Sequence, residues 1–117
     1  MNRIRFAVAA IAAVSALVVA GPAAAATKLV GTVGPGFTIT LTMGGKKVTS
    51  LKAGTYTVTI RDKSNFHNFH LRGAGLNKTT SVTFVGTKTW TLSLKKGKYT
   101  YVCDPHRVNM KGSFTVT

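Results

Sequence analysis

Apolar and polar residues alternate along most of the chain from residue 27 onward. Four stretches show this alternation most clearly, with threonine or serine between the apolar positions: Phe37–Met43, Tyr56–Ile60, Trp90–Leu94 and Tyr99–Cys103. Since successive side chains of a strand point to opposite faces, a period of two predicts half-buried β-strands. Shorter apolar stretches predict further strands at Val30–Val33, Val82–Val85 and Phe114–Val116.

Glycine and lysine separate these stretches at short intervals, as in Gly34–Gly36, Gly44–Lys47 and Lys95–Gly97. Such residues mark turns. Beyond the N-terminal segment no stretch has apolar residues at helical spacing, and Gly73–Thr80 is expected to be a loop or a single turn. Seven or eight short strands predict an all-β fold, an antiparallel Greek-key sandwich or barrel. The residues assigned to its core include Phe37, Met43, Trp90, Tyr99 and Tyr101.

The first 26 residues have the pattern of an export signal. Arg3 and Arg5 precede an apolar stretch from Phe6 to Ala20, and small residues follow at 23–26. We expect cleavage between Ala26 and Thr27, which leaves one exported domain at residues 27–117, periplasmic, extracellular or at the cell surface. The alternative is an uncleaved anchor, although the apolar stretch is short compared with the roughly 20 residues that span a bilayer.

The chain is strongly basic. Sixteen Lys and Arg residues face two acidic ones, Asp62 and Asp104, for a net charge of +14, and loss of Arg3 and Arg5 with the leader reduces it to +12. Export and the absence of an aromatic stacking array argue against a nucleic-acid partner. Acidic redox partner proteins are expected instead, or an anionic membrane or wall surface, contacted by a monomer.

The single cysteine is the sharpest chemical signal. An unpaired thiol in an exported protein is open to oxidation unless it is buried, paired between chains or bound to a ligand. Cys103, His106 and Met110 lie within eight residues between two predicted strands. Thiolate, imidazole and thioether together favour copper, whereas structural zinc needs four strong ligands. The alternatives are an inert buried cysteine and a methionine that only fills the core.

Two neighbours of Cys103 are expected to shape this loop. Pro105 would hold the loop extended, and Asp104 would serve as a hydrogen-bond acceptor beside the ligand strand. Both are therefore expected to support the metal ligands without binding the metal themselves.

A second imidazole would complete a site of two histidines and one cysteine, and Phe66–Leu71 offers two. His67 and His70 are three positions apart, so in an extended strand they point to opposite faces. His67 shares the parity of Phe69 and Leu71, on the apolar side. We therefore predict His67 as the ligand, with His70 at the surface or packed in a loop.

These features resemble the small cupredoxins, the type 1 (blue) copper family of plastocyanin, amicyanin, pseudoazurin and azurin. The resemblance covers residues 27–117 and is carried by His67-Asn68, the Gly-x-Tyr-x-Tyr-x-Cys strand, Pro105-His106 and Met110. It implies His67, Cys103 and His106 as equatorial ligands of one copper ion and Met110 as a longer axial ligand. It also implies that Asn68 ties the two ligand loops together by hydrogen bonds near the cysteine.

The ligand spacing combines features of different cupredoxins. The Cys103-to-His106 spacing is that of plastocyanin-like proteins. The three residues between His106 and Met110 are one fewer than in plastocyanin and one more than in amicyanin. The subgroup is therefore not assigned.

A site in which protein fills every position has no place for a substrate or an activated water. The sequence therefore predicts a one-electron carrier and not an enzyme. The resemblance implies that His106 lies at the surface in an apolar patch, beside Val108 and under the Gly34–Gly36 loop. Two other interpretations stay open: a copper protein for delivery or storage, and a basic structural or adhesive sandwich whose copper is vestigial.

Overall fold

The computed structural model describes residues 9–15 and 25–117. Residues 9–15 have no regular secondary structure. Most of the predicted signal peptide lies outside the described residues, so residues 1–26 remain a signal peptide by prediction alone. Within the part that is described, no helix is long and apolar enough to cross a membrane.

Ten strands form within the described residues, and a 3₁₀ turn at Asp104–His106 precedes the last of them. Eight of the ten are at least four residues long, which agrees with the seven or eight predicted. The strands are β1 Thr27–Val33, β2 Ile39–Met43, β3 Lys46–Lys47, β4 Ser50–Leu51, β5 Gly54–Asp62, β6 His70–Gly73, β7 Leu76–Thr79, β8 Gly86–Leu94, β9 Gly97–Val102 and β10 Lys111–Val116.

The strands form two five-stranded sheets, in the orders β3-β2-β1-β5-β8 and β4-β10-β9-β6-β7. Each sheet ends in free edge strands, so the all-β prediction is confirmed as a sandwich and not a closed barrel. Most pairings are antiparallel, but β1 pairs with β5 and β4 with β10 in parallel. Each sheet therefore combines parallel and antiparallel pairs. The chain crosses from the first sheet to the second before β4 and returns to the first sheet before β5.

The core lies between the sheets and is built from the alternation seen in the sequence. Along β5 the side chains of Tyr56, Val58 and Ile60 are buried, with threonines between them. Phe69 stacks on Tyr101 with 5.5 Å between ring centroids. A side chain on Gly31 would meet Ile60 and Phe69 at under 3 Å, so this close packing requires glycine in β1.

Some predicted elements differ from the structure. Phe37 is 57% exposed and Met43 42% exposed, so neither belongs to the core. Phe37 lies before β2, whose one fully buried side chain is Leu41. Residues 82–85 form a turn and coil instead of a strand. The segment expected to be a loop, Gly73–Thr80, contains β7, which pairs with β6 as a hairpin around Ala74 and Gly75.

Candidate metal centre

The cysteine loop, residues 103–110, connects β9 to β10 and is held by its own backbone. The amide of His106 donates to the carbonyl of Cys103 at 3.0 Å, and the amide of Met110 donates to the carbonyl of His106 at 2.9 Å. The Cys103 amide donates back to the Met110 carbonyl at 3.0 Å, which closes the base of the loop. Pro105 lies at the start of the 3₁₀ turn, where its missing N–H costs no hydrogen bond. Pro105 was expected to hold the loop extended. It instead helps form a turn.

The histidine loop, residues 63–69, connects β5 of the first sheet to β6 of the second. It brings His67 to the cysteine loop. Its start is tied to β1 by the Lys63 amide, which donates to the Val33 carbonyl at 3.0 Å. The fully buried His67 ring has its Nε2 2.7 Å from the Gly36 carbonyl oxygen. Since a carbonyl can only accept, Nε2 carries the proton and donates, and the Nδ1 lone pair is free to bind a metal.

Three donor atoms meet where the two loops come together. His67 Nδ1 and His106 Nδ1 are 3.1 Å apart, and each lies 3.5 Å from the sulfur of Cys103. The centre of this triangle lies about 2 Å from every donor, close to the metal–nitrogen distances of protein sites. The three residues are thus positioned to hold a single metal ion. Two imidazoles and a thiolate in a trigonal set suit copper.

Met110 is fully buried, and its backbone bonds to both Cys103 and His106. This places the fourth predicted ligand at the base of the same loop. The structure brings His67, and not His70, to the triangle, although His67 lies in a loop and not in the extended strand assumed for it.

Two exposed aromatic side chains cover the histidines. Phe37 packs edge-on against His106 at 4.9 Å and His67 at 5.4 Å between ring centroids. The ring of Phe66 lies 4.3 Å from that of His67. Val108, 86% exposed, lies on the same cysteine loop. Phe37 was predicted to lie in the core because it shares the parity of β2. The predicted cover of His106, Gly34–Gly36, instead contacts His67 through the Gly36 carbonyl.

Asn68 joins the two loops, as the resemblance implied. Its Oδ1 accepts the backbone N–H of Asp104 at 2.7 Å, and its Nδ2 donates to the Asp104 Oδ2 at 2.7 Å. The Asp104 carboxylate is thus an acceptor beside the ligand strand, as predicted. The two bonds lock the residue after His67 to the residue after Cys103.

His70 is not a surface residue. It is 7% exposed, and its Nδ1 lies 2.9 and 3.0 Å from the two carboxylate oxygens of Asp104, to which it donates. Its Nε2 lies 2.6 Å from Oδ1 of Asn77 and 3.0 Å from Nε of Arg72. Of the two predictions for His70, packing against a loop agrees better with the structure than a surface position. The loop that it packs against is the cysteine loop, through Asp104.

The two carboxylates near the site have opposite pKa shifts. Burial raises the pKa of Asp104, but hydrogen bonds from His70 and Asn68 and the charges of His70 and Arg107 outweigh burial, and the net pKa is lowered. Burial raises the pKa of Asp62, and the Ser64 amide and His67 only partly offset it. Among the described residues, Oδ2 of Asp62 and Oγ of Ser64 have no hydrogen-bond partner.

The fold and the donor set together define a mononuclear copper protein of the β-sandwich class. The profile of the copper binding proteins of the plastocyanin/azurin family matches residues 38–117. Because this match covers more than half of the chain, the chain belongs to that family. The resemblance to cupredoxins and the prediction of one copper ion are therefore confirmed.

Solved structures support the same fold. Rusticyanin, described as a copper protein, matches with a TM-score of 0.59 and 21% identity over 77% of this chain and 76% of its own. Rusticyanin from Thiobacillus ferrooxidans gives 0.54 and 24% over the same shares. An oxidised amicyanin variant gives 0.51 and 18% over 76% of this chain and 81% of that one. No curated protein sequence matches the chain.

Proposed function

We propose that this protein is an exported one-electron carrier that holds copper through His67, Cys103, His106 and Met110. The observation that supports this most directly is the donor triangle, whose members come from two loops locked to each other by Asn68 and Asp104. Copper bound there would supply a reversible change between Cu(I) and Cu(II). Loops tied in this way resist rearrangement when the charge of the site changes, which favours fast electron transfer.

Burial of the donors argues against an enzyme. Cys103, His67 and Met110 are all fully buried, so a substrate would have to displace protein to reach them. The same burial argues against copper delivery, because a metal carrier must release its ion to a partner.

His106 is the one ligand with partial exposure, and it lies beside Phe37 and Phe66, with the exposed Val108 two residues further along the same loop. An apolar rim around a partly exposed imidazole suits close contact with a partner surface. We therefore propose that electrons pass through His106, and that the basic surface attracts acidic partners over longer distances.

Voltammetry and copper transfer test this proposal together. The copper-loaded protein should give a reversible one-electron wave and an intense visible absorption from the cysteine–copper bond. It should keep its copper in the presence of a copper-accepting chelator over many redox cycles. An irreversible wave with rapid loss of copper to the chelator would instead favour delivery or storage.

A further inference from the structure

A groove of about 480 Å³ lies along β9 and β10 of the second sheet and extends to β3, the edge strand of the first sheet. Its lining includes Lys98, Thr100 and Val102 of β9, Lys111 and Ser113 of β10, and Lys47 of β3. Three ammonium groups and two hydroxyls thus share one concave surface. We call it the lysine groove.

Strand register places these side chains in order. Lys111 pairs with Val102, Thr100 with Ser113, and Lys98 with Thr115. Along the sheet, a pair of hydroxyls therefore separates two basic positions. The two lysines are four registers apart, about 13 Å at 3.3 Å per residue.

Among the described residues, no carboxylate side chain lines the lysine groove to balance its positive charge. Asp62 is buried, and both salt bridges within residues 25–117 belong to Asp104, which bonds His70 and Arg107. These are the two acidic residues of the whole sequence. The charge of three cations in a groove of this size favours an anion supplied from outside.

We propose that the lysine groove binds an extended acidic segment of the redox partner. Side chains four residues apart on an extended peptide are also about 13 Å apart along the backbone, so two carboxylates of one peptide match the spacing of the two lysines. A flat bilayer cannot enter a concave groove, and the lining has no aromatic ring on which nucleobases could stack. That the segment belongs to a redox partner rests on the proposed function. Val102 and Lys111 directly adjoin Cys103 and Met110 in the sequence, so the bound segment would hold the partner beside the cysteine loop.

The test compares two double variants that change the net charge equally. Lys98→Glu/Lys111→Glu reverses charge inside the groove, and Lys28→Glu/Lys88→Glu reverses it on the first sheet. Each protein, loaded with Cu(I), is titrated with an oligoglutamate peptide of about eight residues, roughly 26 Å when extended, and followed by NMR. Parallel titrations use inorganic phosphate and vesicles containing phosphatidylglycerol.

The peptide should shift the amides of Thr100 and Ser113 in the wild type and in the first-sheet variant. The groove variant should bind it roughly tenfold or more weakly, because each reversal turns an attraction into a repulsion. Equal weakening in both variants would overturn the proposal, as would equal or tighter binding of phosphate or vesicles at these amides. The readout does not use electron transfer, so a failed voltammetry test would leave this result interpretable.

A separate observation concerns His70. It pairs with Val102 across β6 and β9 and donates to both carboxylate oxygens of Asp104, while Asn68 binds the same residue from the histidine loop. Arg107 adds a bond of 2.7 Å to Oδ1 of Asp104 from a side chain that is 56% exposed. Of these partners, His70 is the buried side chain that comes from a strand of the sandwich.

We infer that His70 is a positioning residue for the copper site. It holds Asp104 against the rigid second sheet, and Asp104 in turn holds Asn68, so that the two ligand loops keep one relative position. Removal of a hydrogen-bonding partner of a metal ligand typically changes metal affinity by about 10- to 100-fold, and His70 acts one residue further out, through Asp104, so its effect should lie at the lower end of this range.

His70→Ala tests this inference, with Arg107→Ala as the control that removes the exposed partner of the same carboxylate. Copper release to a chelator should be about tenfold faster in His70→Ala and nearly unchanged in Arg107→Ala. His70→Gln, which can still donate to Asp104, should recover most of the loss. The EPR spectrum of the Cu(II) form should shift in His70→Ala and return toward the wild type in His70→Gln.

A lower melting temperature with unchanged copper release and EPR spectrum would show a merely structural role and overturn the inference. Should His70→Ala fail to fold, Asp104→Asn provides the second test. It keeps the shape of the side chain but weakens the bonds from both His70 and Asn68, so its copper release should also be faster than that of the wild type. Release as slow as in the wild type would contradict the inference.

Discussion

The two ligand loops of this protein are stabilised in different ways. The cysteine loop carries three predicted ligands within eight residues and closes on itself by backbone hydrogen bonds among Cys103, His106 and Met110. The histidine loop carries one ligand, and its contacts are with distant segments, through Gly36, Val33 and Asp104. One loop is thus specified locally and the other by the fold, and substitutions should affect them differently.

The largest expected effect is at the locally specified loop. Cys103→Ser should abolish nearly all of the visible absorption of the Cu(II) protein, because the thiolate is the source of the charge-transfer band. The fold should persist, because serine differs little in size, and circular dichroism checks this. Val108→Ala, an exposed change on the same loop, should keep the colour, and a colourless wild-type protein in the presence of Cu(II) would refute the copper site.

The two histidines provide a direct comparison of the loops. His67→Gly and His106→Gly should each lose the blue site. Added imidazole should restore colour more readily in His106→Gly, since His106 is partly exposed whereas His67 is fully buried under two phenylalanines. Absorption titrations with imidazole measure this difference. Equal rescue of both would mean that the aromatic cover opens freely.

A smaller effect is expected at the base of the cysteine loop. Met110→Leu keeps the volume of the side chain, so the free energy of unfolding should fall by less than about 1.5 kcal/mol. If Met110 is the weak axial ligand, copper should remain bound in Met110→Leu and the reduction potential should rise. The reason is that a thioether donor stabilises Cu(II) and an apolar leucine side chain does not. An unchanged potential would show that Met110 only fills the core.

The smallest expected effect is the opposite pH dependence of the two carboxylates, measured by urea unfolding of the copper-free protein. Asp62 has a raised pKa, so the native state binds its proton more tightly. The unfolding free energy should therefore fall as pH rises from about 3.8 toward the raised value. Asp104 has a lowered pKa, so its stabilisation should be lost as pH falls below about 3.8.

Asp62→Asn should remove the first slope and Asp104→Asn the second. If both variants changed the same part of the pH profile, the environments of the two carboxylates would not differ as described. Urea series at several pH values between about 2.5 and 7 cover both windows.

The positions of most strands could be read from the sequence, because a period of two reports directly which face of a strand is buried. At the ends of the strands, this period no longer reports burial. Phe37 has the parity of the buried positions of β2, but it lies two residues before the strand begins at Ile39, where the backbone is not part of the sheet. The β6–β7 hairpin was missed because Asn77 and Lys78 are polar on an edge strand with little buried face.

The sequence by itself determined the cysteine loop, since a thiolate, an imidazole and a thioether so close together need only a tight turn to converge. Tertiary structure decided everything that depends on segments far apart in the chain. It turned the Nδ1 of His67 toward the Cys103 sulfur by bonding Nε2 to the carbonyl of Gly36, placed Phe37 on His106, and buried His70 against Asp104. The physical reason is that hydrogen bonds and ring contacts across 31 to 69 residues follow from how the two sheets pack, which no local pattern encodes.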